Sequence, residues 1–140
     1  MMESFPYVIE PIGFVRSELT QLEEAPMQGD EGAPDAWLEL TSMAAPGLMG
    51  LQPGDELMLL TWLHLAERDV LQVHPRGDIN RPLSGVFATR SPDRPNPIGL
   101  HRVSVLEVAE RKLRVAPLEA IDGTPIVDIK PVLAGSVPDR

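Results

Sequence analysis

Apolar residues alternate with polar ones along seven short stretches of this chain. That period of two restricts its fold more than any other feature. The stretches are YVIEPIGFV, AWLEL, ELMLLTWLHL, GVFA, LHRVSVLEV, KLRVAPLEA and PIVDIKPVL, all of strand length. Successive side chains of a strand point to opposite faces, so such a pattern buries one face and wets the other. Turn signals lie between the stretches at Pro53-Gly54-Asp55, Pro75-Arg76-Gly77-Asp78, Glu110-Arg111-Lys112 and Asp122-Gly123. Between His101 and Val108 the apolar positions fall at 103 and 105 and then at 106 and 108. That change of phase predicts a β-bulge. The one expected helix is a brief turn around Met43–Leu51, cut short by Pro46 and two glycines. Leu22–Pro34 reads as a long irregular loop between the first two strands. The sum is an all-β fold, a small, mainly antiparallel barrel or sandwich with long connecting loops and little helix. At 140 residues it forms a single domain over 1–140.

The chain has no cysteine, which removes disulfides, thiolate metal sites and Cys nucleophiles. No apolar run reaches the length of a membrane span, and MMESFPYVIE has neither the basic nor the apolar region of a signal peptide. The expectation is a cytoplasmic protein with no membrane contact. Charge is unevenly placed. Residues 1–70 carry 13 acidic and 2 basic side chains, whereas 76–102 carry five arginines against two aspartates, in a chain of net charge −9. A local basic segment in an acidic field fits a focused anion contact better than a broad polyanion track. Arginines that are merely solvated or paired with carboxylates fit the composition equally well.

Neither standard nucleotide loop is present, because no GxGxxG opens a helix after a strand and no GxxxxGK[ST] occurs. There is also no GxSxG. His64, His74 and His101 are too scattered for a metal site, and no metal is expected. Three stretches remain. TWLHLAERD places His64 among apolar residues at a strand end. GVFATRSPDRPNPIGLHRV runs strand, stiff loop, strand, with three prolines and two arginines in its central ten residues. Proline locks the backbone, so this loop either pre-organises Arg90, Arg94 and Asn96 for a ligand or simply builds a wide connection. IDGTPIVDIKP opens on Asp-Gly, a hairpin turn signal, which makes Asp122 a turn former and also a candidate polar contact.

IGFVRS (12–17), GVFATRSPDRPNPIGL (85–100) and DGTPIVDIKP (122–131), in that order, resemble the TsaA-like or TrmO-type family. The resemblance implies a β-barrel, S-adenosylmethionine as cofactor, a homodimer, and methylation of N6 of threonylcarbamoyladenosine in tRNA. It implies a short form, without the C-terminal domain of better-known members. Carried over residue by residue, the cofactor-binding positions are Arg90, Leu100, Leu118, Glu119, His64 and Leu65, with Gln28 and Gly29 from the loop APMQG. Arg94 and Asp122 are the catalytic candidates: Arg94, or Arg90, would stabilise an anion on N6, and Asp122, or His64, would accept the proton. The family ending DIKPY is DIKPV here, with Val132 in place of an aromatic ring. A cofactor-binding regulatory or sensor module is the alternative.

Overall fold

The computed structural model describes residues 6–20 and 32–133. Six strands close into an antiparallel barrel in the order β1-β2-β7-β6-β3-β8. They are β1 (Gly13–Arg16), β2 (Ala36–Leu40), β3 (Glu56–Trp62), β6 (Ile98–Val108), β7 (Lys112–Ala116) and β8 (Pro125–Pro131). A two-stranded ribbon, β4 (Gln72–Val73) with β5 (Ser84–Gly85), stands outside the barrel. Among the described residues, helix is confined to three single 3-10 turns, one of them Ala45–Leu48, where the short turn was expected.

The period of two becomes the barrel wall. Val15, Leu38, Leu57, Leu59, Val103, Val105, Leu113, Val115 and Ile126 point inward and are almost wholly buried. Each such side chain contributes about 1.5–3 kcal/mol relative to exposure. The predicted bulge is present on β6, where Val105 pairs with Val115 and Glu107 with Arg114, so Leu106 is the extra residue. A second register shift, between Leu60 and Thr61, makes Asp128 and Ile126 their partners on β8. On the outer face Arg114 lies 3.0 Å from Asp35 and 3.3 Å from Glu107. The hydrogen bond to Asp35 holds its pKa above the ordinary arginine value.

Five strand expectations need correction, and two of them only in length: ELMLLTWLHL ends at Trp62 and PIVDIKPVL at Pro131. YVIEPIGFV forms a strand only from Gly13, and residues 6–11 are irregular. GVFA is not a strand. Its last three residues make a 3-10 turn in which Thr89 N donates to Val86 O, and only Ser84–Gly85 pair, with β4. KLRVAPLEA stops at Ala116, since Pro117 has no N–H to continue the ladder. Most of the loop expected over Leu22–Pro34 lies outside the described residues.

The barrel positions the site through two excursions. One leaves β3 at Leu63, carries the β4–β5 ribbon, and returns to β6 through RSPDRPNP. The other is the short link from β7 to β8, residues 117–124.

Candidate functional site

The proline-rich loop is held to the outgoing leg of its own excursion. Leu63 N donates to Pro97 O at 2.8 Å, Arg94 N to Glu67 O at 3.0 Å, and Glu67 N to Asp93 Oδ1 at 2.9 Å. Arg68 donates to Pro95 O at 2.7 Å and to Asn96 Oδ1 at 3.0 Å, while its guanidinium stacks 5.1 Å from the Trp62 ring centre. Local Ser and Thr turns complete the loop, with Ser91 N bonded to Thr89 Oγ1 and Asp93 N to Ser91 Oγ.

The two loop arginines have different surroundings. Arg94 turns inward: its Nε donates to Ser91 O and its Nη2 to Val86 O and Thr89 O, each at 2.7 Å. A planar guanidinium suits this, because its fork can bind several carbonyls in one plane. Arg90 is exposed, and among the described residues its guanidinium has neither an ion pair nor a hydrogen bond. The other described arginines all have partners: Arg16 with Glu39, Arg81 with Asp78, Arg102 with Glu56, Arg114 with two carboxylates, Arg68, Arg94 and Arg111 with carbonyls, and Arg76 likewise engaged.

The remaining expected positions fall on both sides of the barrel wall. His64 and Leu65 are exposed at the turn that follows β3. Leu100 is exposed on the outer face of β6, opposite Leu60. Leu118 is wholly buried, with its side chain in the core and its N–H donating to Pro34 O at 3.0 Å. Glu119 is 15% exposed and accepts a hydrogen bond from His101 Nδ1. Asp122 Oδ1 accepts from Ser17 N at 3.1 Å, and Asp122 N donates to Leu19 O at 2.6 Å. Gly123 follows with φ +84°, which the turn requires. Asp122 therefore fastens the chain just after β1 to the β7–β8 link. Gln28 and Gly29 lie outside the described residues.

Sequence reasoning missed a buried polar chain. His101 Nε2 lies 2.7 Å from Thr61 Oγ1, and His101 Nδ1 is bonded to Glu119 Oε1. His101 and Thr61 are buried at inward positions in phase with Val103 and Val105 on β6 and with Leu57 and Leu59 on β3. That phase was a readable signal, since a polar residue in an inward register must find a partner inside. No group of three or more His, Cys, Asp or Glu side chains among the described residues is arranged to hold a metal ion.

A barrel with this loop and this polar chain has clear relatives. A family model for the tRNA-methyltransferase O N-terminal domain matches residues 14–136. The chain belongs to that family. A probable S-adenosyl-L-methionine-binding protein of Methanothermobacter thermautotrophicus is 45% identical over 123 residues, covering 88% of each chain. An S-adenosyl-L-methionine-binding protein of Archaeoglobus fulgidus is 40% identical over 123 residues, covering 88% of this chain and 87% of that one. Among solved structures, a crystal structure of TrmO from Pseudomonas aeruginosa has a TM-score of 0.75 and 30% identity, covering 100% of this chain. This chain spans 62% of that TrmO chain.

Proposed function

We propose that this member of the TrmO family binds S-adenosylmethionine and transfers its methyl group to N6 of threonylcarbamoyladenosine in tRNA, as a homodimer. The observation that carries the reading is the family match over residues 14–136, which takes in both RSPDRPNPIG and DGTPIVDIKP. The chemistry of the residues fits such a cofactor. Exposed Leu65 and Leu100 offer apolar surface to an adenine. Glu119 keeps one carboxylate oxygen that nothing among the described residues binds, which suits ribose hydroxyls or an ammonium. Arg90 has its whole guanidinium available to a carboxylate, which it can bind by two parallel hydrogen bonds.

When bound, S-adenosylmethionine supplies an electrophilic methyl group on a sulfonium. The protein's part is alignment and proton handling. The N6 nitrogen between a purine and a carbonyl has a delocalised lone pair and is a poor nucleophile until its proton leaves. Asp122 is the proposed acceptor, through the Oδ2 that its bond to Ser17 leaves open. Arg90 balances negative charge, either on N6 or on the threonyl carboxylate. Arg94 keeps the loop that carries Arg90 in one conformation. In a homodimer, two such loops supply positive surface to RNA from an otherwise acidic chain.

A second reading has its own support, because the curated relatives are named for cofactor binding alone. In it the chain is a cofactor-binding sensor that methylates nothing. Incubation with methyl-labelled cofactor and tRNA bearing threonylcarbamoyladenosine separates the two. Label in the RNA supports the methyltransferase. A chain that binds the cofactor but leaves the RNA unlabelled is the sensor.

A further inference from the structure

Among the described residues the buried polar side chains are Thr124, whose hydroxyl donates to Ile121 O, and Thr61 and His101, which with the partly exposed Glu119 form a continuous hydrogen-bonded chain. Core stability alone does not call for it. A well-packed apolar replacement of a buried polar pair is commonly neutral or stabilising. The fold nevertheless makes room for it. A Cβ on Gly99 would come within 2.5 Å of Thr61 Oγ1 and 2.7 Å of His101 Nε2, so the glycine of PNPIG leaves the gap that the Thr61–His101 bond occupies.

The chain has a direction. A carboxylate only accepts, so the proton between His101 and Glu119 is on Nδ1, and Nε2 faces the Thr61 hydroxyl. Thr61 is β-branched and stiff at χ1, and it sits in the β3–β6 ladder opposite Gly99. Glu119 has no such support, because it lies on the irregular link between β7 and β8. A glutamate there has free rotamers unless something holds it. His101 holds Oε1, and no group among the described residues holds Oε2.

We infer that His101 is a positioning residue: backed by Thr61, it fixes the Glu119 carboxylate and leaves Oε2 to a hydroxyl or ammonium donor of the ligand. The inference rests on the cofactor reading above and adds to it a buried residue that itself touches no ligand. Ribose hydroxyls, the α-ammonium and the adenine 6-amino group are the donors that one carboxylate oxygen can take from such a molecule.

The test is calorimetric titration of the full chain with S-adenosylhomocysteine, alongside thermal unfolding. His101→Asn places an amide N–H where Nδ1 stood, and His101→Gln places one where Nε2 stood. Asn should keep affinity within roughly threefold of the wild type, while Gln should lose roughly tenfold or more. Equal affinities of the two variants, or losses that merely follow the melting temperature, overturn the inference. Thr61→Val preserves shape and removes the hydroxyl. It also leaves His101 Nε2 without its partner, so it should weaken binding roughly threefold beyond what its lower melting temperature accounts for, and unaltered binding in it also counts against the proposal. 5′-Methylthioadenosine, which has the adenosine moiety but no ammonium, separates the donors. A Gln-variant loss seen with both ligands assigns Oε2 to the adenosine moiety, and a loss seen only with S-adenosylhomocysteine assigns it to the ammonium; either supports the role of His101. A wild-type chain that binds neither ligand overturns the cofactor reading and this inference with it. Wild-type binding that His101→Gln leaves intact overturns this inference alone.

Discussion

Gly99 faces Thr61 across the β3–β6 ladder so closely that a single added methyl group would meet the threonine hydroxyl at 2.5 Å. The same methyl would lie 2.7 Å from His101 Nε2 and 3.0 Å from Leu63 Cδ2. Gly99→Ala should therefore destabilise the barrel by about 1–3 kcal/mol, the usual cost of overpacking. Urea denaturation measures it. Combining Gly99→Ala with Thr61→Ala should recover part of the loss, because the two side chains then no longer compete for one space. Additive losses would show that the crowding is not at Thr61.

Arg90 and Arg94, four residues apart, should respond in opposite ways to replacement. Arg94→Ala removes three bonds to carbonyls and should cost about 2 kcal/mol or more, with faster amide exchange between residues 63 and 97. Arg94→Lys should not restore it, because an ammonium cannot reproduce the planar fork. Arg90→Ala should shift stability by less than about 0.5 kcal/mol and weaken cofactor binding. A large stability loss on replacing Arg90 would make it a structural residue.

Asp122 is bonded to Ser17 N, which allows its fold role and its proposed chemical role to be separated. Asp122→Asn keeps an acceptor oxygen and should unfold within about 0.5 kcal/mol of the wild type, whereas Asp122→Ala should lose about 1 kcal/mol. If the carboxylate takes the N6 proton, Asp122→Asn still lowers kcat by about 100-fold or more. Wild-type turnover in that variant would remove Asp122 from the chemistry.

The Arg114 cluster gives a pH expectation. Its pKa is raised in the fold, chiefly by the hydrogen bond to Asp35, so this contribution is complete below the unfolded-state pKa and is lost only as pH rises through the folded value. Both lie at the far alkaline end. Stability curves of wild type and Arg114→Gln should thus run parallel between about pH 7 and 10, and converge on adding salt, which screens exposed pairs. Diverging curves in that window would point to another titrating group.

Local alternation was enough to read most of the barrel. AWLEL, ELMLLTW, KLRVA and PIVDIKP are strands because each can bury every second side chain, and the phase slip after Val105 marked the bulge. GVFA was misread because four apolar residues carry no reliable period, and the turn there depends on contacts with Leu71 and Arg94 made through the fold. The motif loop was legible as rigid, but not the division of labour within it. Arg90 and Arg94 are the same residue type in the same short segment, and nothing local says which one faces carbonyls.

What the sequence determined by itself was the all-β character, the stiff loop and the family, since period, proline content and motif order are properties of the chain. Tertiary structure alone decided the polar interior. Thr61, His101 and Glu119 are separated by 40 and 18 residues, and they meet because β3 pairs with β6 and the β7–β8 link brings Glu119 to His101. Hydrogen bonds across such separations depend on strand register, and register is fixed only when the whole barrel closes.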